Sequence, residues 1–234
     1  MFLPLYHATV IAVNSYTIWY DQKYMEIPFP AEGYKEVPLR ARIAFCTFWC
    51  LYLQTFYFIL SLLNDVFGTN DASPRKKPFI RTLKDHIFSL AFPVALNVTI
   101  TFWTVYFYKK ELVFPDYVAN VVPFWGNMVL HVTNSVFILI EVFVSRITYP
   151  TRPVGLALAL VFNVSYLYCL VTLRLRTGAW IYPLLELFDV PTTAVCFVIT
   201  MLLGLSLYVL GEKLSSVPSV KQVNGFNGSI KKKY

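Results

Sequence analysis

The sequence predicts an all-α polytopic membrane protein, a bundle of six transmembrane helices, on three observations. Of its 234 residues, 57% are hydrophobic and only 14% are charged, against about 45–50% and about 25% in soluble domains. The apolar residues gather into six runs of roughly 17–25 residues, the length that crosses about 30 Å of hydrocarbon. Between the runs lie segments rich in proline, glycine and charge, such as "IPFPAEGYKEVPLR" and "GTNDASPRKKPFIR", which read as loops. A single soluble core is excluded, and the length suits one compact bundle.

The six spans fall at about 4–20, 43–63, 86–108, 122–144, 155–174 and 191–210. Each is expected to be a helix, because backbone polar groups in lipid must bond within their own segment. The first run lacks a preceding positive region, and Asn14, Ser15 and Asp21 do not form a small-residue cleavage site, so this span is expected to be retained. The second carries Thr47, Gln54 and Ser61, then Asp65 at its end. The third places His86, Ser89, Pro93, Asn97, Thr101 and Thr104 at intervals of three or four, which share a helix face. The fourth carries Asn127, His131, Asn134, Ser135 and Glu141. Residues 1–214 form one transmembrane domain, and the polar stretch 215–234 is expected to be a flexible basic tail.

Charge sets the orientation. Loops 2 and 4 with the tail hold roughly 12 of the 20 Lys and Arg residues, and loops 1, 3 and 5 hold roughly 8. Basic residues favour the cytoplasmic side, so both termini are expected there. The ending "KKKY" puts Lys232 and Lys231 third and fourth from the end, as in a dilysine signal of the endoplasmic reticulum; a basic tail also suits anionic headgroups. Sequons at Asn97, Asn163 and Asn227 fall within spans or on the cytoplasmic tail, so none is expected to carry glycan. The net charge of +7 points to lipid headgroups rather than nucleic acid. Cys46, Cys50, Cys169 and Cys196 lie inside apolar runs and read as small hydrophobes, not zinc ligands.

Most polar residues in these spans are expected to hydrogen-bond between helices or to the carbonyl one turn back. His131 and Glu141 stand apart, because an ionisable group deep in a span is costly and marks function. Thr47 lies about 6 Å into span 2 and His131 about 14 Å into span 4 at 1.5 Å per residue, both counted from the same side. The two can therefore meet in one leaflet. A hydroxyl beside an imidazole is the minimal pair for nucleophilic catalysis: Thr needs a base, and neutral His supplies one.

From about residue 39 to 214 the chain resembles the androgen-induced gene 1 family of membrane hydrolases. The resemblance rests on Thr47 followed by "LQTFYF", on "DHIFSLAFPVALNVTITFW", "KKELVFP" and "VPFWGNMVLH", and on "TYPTRPVGL", "RTGAWIYP" and "YVLGEKL" in this order. It implies a threonine hydrolase that cleaves fatty acid esters of hydroxy fatty acids (FAHFA) into a fatty acid and a hydroxy fatty acid. It further implies that Thr47 is the nucleophile and His131 the catalytic histidine, with no metal or organic cofactor. Met128 stands where the family pattern has a further histidine, and Ile43 and Ala44 stand where relatives carry tryptophan and lysine.

Oxyanion or substrate contacts are expected from Asn127, one turn before His131, and from Asn97. Arg40, Arg42 and Lys109 are candidates for a substrate carboxylate. The lipid-ester substrate would enter from the bilayer of the endoplasmic reticulum or plasma membrane. The rival readings are a non-catalytic lipid-binding receptor or scaffold and a small transporter. The transporter reading is disfavoured because no repeated halves with Gly/Pro-broken helices are seen.

Overall fold

A computed structural model describes residues 2–71 and 75–216. Lys231, Lys232, Asn227 and nearly all of the expected tail lie outside the described residues, which contain helices and no strand. Six long helices carry the fold: α1 (Phe2–Tyr24), α2 (Cys46–Phe67), α3 (Phe79–Lys109), α4 (Phe124–Val144), α5 (Arg152–Thr177) and α6 (Val190–Ser216). Short helical turns at Glu32–Glu36, Leu39–Ala44, Lys110–Leu112, Asp116–Ala119 and Pro183–Glu186 occupy the loops.

The last five long helices are long and apolar enough to cross a membrane, so the chain is a membrane protein. The sixth expected span, α1, has 23 residues and so reaches roughly 35 Å. Its hydropathy is diluted by His7, Asn14, Thr17 and Asp21, all of which face the interior. It runs antiparallel along the whole of α2: His7 meets Asp65 near the end of α2, and Asp21 meets Arg42 just before its start.

α3, α5 and α6 outrun the apolar runs that predicted them at both ends. α3 begins at Phe79 rather than near 86, because Arg81, Lys84 and Asp85 are buried and find partners on neighbouring segments. Lys84 Nζ donates to Ser145 Oγ at 2.8 Å, Arg81 reaches the carbonyls of Thr69 and Arg146, and Asp85 meets Lys77 at 2.8 Å. α6 likewise runs to Ser216, beyond the expected domain end at 214.

α3 is the axis of the bundle, packed against α2, α4 and α6. Where lipid is as apolar as the helices, association depends on close packing and small residues. Ala91 and Ala95 of α3 are fully buried, and a Cβ on Gly211 of α6 would collide with Phe92 and Tyr149. Between helices, Gln54 Nε2 donates to Asn134 O at 2.9 Å and Ser135 Oγ to Ala95 O at 3.0 Å. Thr104, expected on the polar face of α3, is exposed instead. The outward faces of α5 and α6 carry exposed Val161, Tyr168, Val195 and Ile199, an apolar surface suited to acyl chains.

Candidate active site

Loops 1, 3 and 5 converge at one end of the bundle, where α2 and α4 begin. Beneath them lies a cavity of about 500 Å³ lined by Thr47, Asn97, Phe102, Asn127 and His131 among mostly apolar side chains. That volume is within the usual range for a small-molecule pocket.

Thr47 sits in the first turn of α2. The chain reaches it through a left-handed turn, with Leu39, Arg40 and Ala41 at φ 53°, 51° and 57°. Three consecutive non-glycine residues in this region cost roughly 1–2 kcal/mol each, so the turn must be held from outside. Arg42 holds it: Nε donates to both Asp21 carboxylate oxygens at 2.8 and 2.9 Å, Nη1 to Arg40 O at 2.8 Å and Nη2 to Met25 O at 2.7 Å. The start of α2 is capped from afar. The Cys46 N–H is within 3.1 Å of both the Tyr166 and Tyr182 hydroxyls. Trp49 Nε1 donates to Ile43 O at 2.8 Å, and the Tyr166 hydroxyl to Ala44 O at 2.9 Å. The Thr47 N–H is one of the first-turn donors that a helix leaves without an intrahelical acceptor.

His131 lies in a wide, π-type stretch of α4, Val129–Thr133. Such single turns are rare and recur at functional sites. The residue is 8% exposed, and its Nε2 is 3.2 Å from Thr47 Oγ1. Its Nδ1 faces two oxygens of Asn127, the side-chain Oδ1 at 2.9 Å and the main-chain O at 3.2 Å. Both oxygens can only accept, so Nδ1 carries the proton and, in the neutral ring, Nε2 is left to accept from the Thr47 hydroxyl. Phe102 stacks on the ring with centroids 3.5 Å apart and planes 13° apart. Trp103 Nε1 donates to His131 O at 3.1 Å.

The structure thus brings together Thr47, His131 and Asn127, while Asn97 lines the same cavity from α3. Asn127, expected to donate to substrate, turns its oxygen toward the imidazole. Asn97 Nδ2 donates to Thr200 O at 3.1 Å. The three candidate cations do not line the cavity. Arg42 is fully buried and spent on Asp21 and carbonyls, Arg40 holds Gln22 O and Glu26, and Lys109 is exposed. Sequence reasoning missed Phe102, Tyr166 and Tyr182, which reach the site only through tertiary packing.

A second buried polar cluster lies at the opposite end of the bundle. His7 Nδ1 is 2.7 Å from Asp65 Oδ2, and Nε2 is 3.0 Å from Glu141 Oε2. Tyr57 donates to Glu141 Oε1 at 2.6 Å and Asn70 Nδ2 to Asp65 Oδ1 at 2.6 Å. Glu141, singled out with His131 as an ionisable group within a span, belongs here.

A family model for FAR-17a/AIG1-like proteins matches residues 2–216. The human androgen-dependent TFPI-regulating protein is 29% identical over 217 residues, covering 90% of each chain. The human androgen-induced gene 1 protein is 34% identical over 179 residues, covering 74% of this chain and 75% of its own. The golden hamster (Mesocricetus auratus) androgen-dependent TFPI-regulating protein is 27% identical over 217 residues, covering 88% of this chain and 92% of its own. No solved structure matches the chain.

Proposed function

The chain belongs to the FAR-17a/AIG1-like family, and from that premise we propose that it is a membrane-embedded carboxylic ester hydrolase in which Thr47 is the nucleophile and His131 the base. The observation that carries the reading is the 3.2 Å approach of Thr47 Oγ1 to His131 Nε2 within an apolar cavity. The substrate class is the fatty acid esters of hydroxy fatty acids that the sequence resemblance implies. Two apolar chains joined by one ester suit a cavity whose lining is mostly hydrocarbon.

In the first step Thr47 Oγ1 attacks the ester carbonyl carbon while His131 Nε2 takes the hydroxyl proton. Asn127 keeps Nδ1 protonated, so that Nε2 is the basic nitrogen. Negative charge builds on the carbonyl oxygen, and the Thr47 N–H at the start of α2 is placed to donate to it, aided by the partial positive charge of a helix N-terminus. The tetrahedral adduct collapses to an acyl-threonine, and the hydroxy fatty acid leaves with the proton from His131. Water, deprotonated by the same nitrogen, then releases the fatty acid and restores Thr47.

The proposed topology has six spans with both termini cytoplasmic, in the endoplasmic reticulum or plasma membrane. Its support is that α1 runs the full length of α2 and that basic residues favour the side of loops 2 and 4. The reaction is tested with purified protein and a FAHFA ester beside Thr47→Ala and His131→Ala. Each substitution is expected to lower turnover by at least about 10³-fold, and an ester-like electrophile is expected to label Thr47, located by mass spectrometry. Unchanged turnover in both variants overturns the reading; lipid binding with no turnover by the unaltered protein favours a receptor.

A further inference from the structure

Deeper in the cavity, away from Thr47, polar residues from three helices line the wall, although the Thr200 hydroxyl is spent on Cys196 O one turn back. Asn97 and Thr101 come from α3, Asn163 from α5 and Thr200 from α6, and all four line the cavity. Their hydrogen bonds do not use up their capacity. Asn97 Nδ2 donates one proton to Thr200 O at 3.1 Å and Asn97 Oδ1 accepts from Thr101 at 3.1 Å. Asn163 Nδ2 donates one proton to Ala159 O at 2.7 Å. Each amide nitrogen has a second N–H, and Asn163 Oδ1 makes no hydrogen bond among the described residues. The space between the amides exists because residue 204 is glycine. A Cβ there would stand 3.1 Å from Asn97 Nδ2 and 3.8 Å from Asn163 Nδ2.

Spare donors and an acceptor on partly buried amides of an apolar cavity lining are costly unless something bonds them. No Asp, Glu, Lys or Arg lines the cavity among the described residues, so its wall offers no counter-ion and favours an uncharged group there. Helix register gives the depth. Asn97 lies five residues below Phe102 on α3, roughly 7.5 Å, and Asn163 three residues below Tyr166 on α5, roughly 4.5 Å. Resting on the hydrolase reading above, we propose that Asn97 and Asn163 form a second subsite that binds an uncharged oxygen function, a hydroxyl or carbonyl, carried on the lipid chain some four to six carbon–carbon bonds from the reacting ester, at about 1.3 Å of advance per bond. The subsite selects lipids with a second oxygen part-way along the buried chain over plain acyl chains.

The test separates binding from turnover. Purified protein in detergent is loaded with a fluorescent fatty acid, which is then displaced by octadecanoic acid or by octadecanoic acid bearing a hydroxyl on carbon 6. The unaltered protein is expected to bind the hydroxylated acid about 10-fold more tightly, the discrimination a site with waiting polar groups achieves at its modest end. Asn163→Leu and, independently, Gly204→Ala are expected to bring the ratio close to one, while Thr47→Ala keeps it. A ratio near one in the unaltered protein overturns the proposal, and so does a ratio that persists in both subsite variants. If no ester is hydrolysed yet the ratio collapses in those variants, the hydrolase reading fails and the subsite stands.

Discussion

The Phe102 ring lies flat on the His131 imidazole, 3.5 Å between centroids and 13° between planes. An aromatic face at that distance leaves the imidazole little room to tilt. Phe102→Ala is expected to lower kcat about 10–100-fold with a smaller change in KM, because small displacements of a catalytic group carry penalties of that order. Phe102→Tyr should retain most of the rate. Steady-state kinetics on a lipid ester checks both.

Asn127 supplies two acceptors to Nδ1, and only one is a side-chain atom. Asn127→Ala removes Oδ1 and leaves the main-chain oxygen at 3.2 Å, so the tautomer is weakened rather than lost. The expected loss in kcat is about 10-fold, well short of the roughly 10⁴-fold seen when a catalytic histidine is held in the wrong tautomer. Single-turnover rates distinguish the two magnitudes.

The Asp21–Arg42 pair is about 1% exposed at both side chains. Removing one partner leaves a buried charge alone, which costs about 3–5 kcal/mol. Asp21→Leu and Arg42→Met are each expected to lower the unfolding midpoint in detergent strongly. The double variant should lose less than the sum, because no charge is left behind. Thermal unfolding of the four proteins closes the cycle.

His7 bridges two carboxylates on different helices, so it fastens α1 to both α2 and α4. His7→Phe preserves a ring among Tyr6 and Phe58 but leaves Asp65 and Glu141 without it. It is expected to destabilise the bundle by several kcal/mol and to expose α1 to limited proteolysis before the other helices. Glu141→Gln, which keeps an acceptor for Tyr57, should cost less than Glu141→Leu.

The helices were legible because apolar runs of membrane length have few other uses, and the Thr47–His131 pairing was legible because both residues, counted in from the same side, fall within one leaflet. What stayed hidden was everything that depends on which helices are neighbours. Hydropathy underrates α1 because its polar residues face inward, His7 and Asp21 to partners on other segments. The left-handed turn at Leu39–Ala41 contains no glycine to announce it, and it exists because Arg42 is gripped by Asp21. Asn127 could be placed on the face of His131 by spacing, but whether its oxygen or its nitrogen faces the ring is settled by the local backbone. Phe102, Tyr166 and Tyr182 are three aromatic residues among many until packing brings them to the start of α2.

The wide turn at Val129–Thr133 governs more than the imidazole it contains. Everything after it on the same helix inherits the angular phase it sets, including Ile138 in the core and Glu141 in the grip of His7. Winding the same residues at ordinary α pitch would turn the following half of the helix by up to roughly 100°, carrying Glu141 out of reach of its partner. The wide winding thus absorbs one extra residue and keeps the two ends of the molecule in phase, so a sequence that loses that residue together with the wide turn keeps the grip on Glu141, whereas one that keeps the residue without the wide turn loses it.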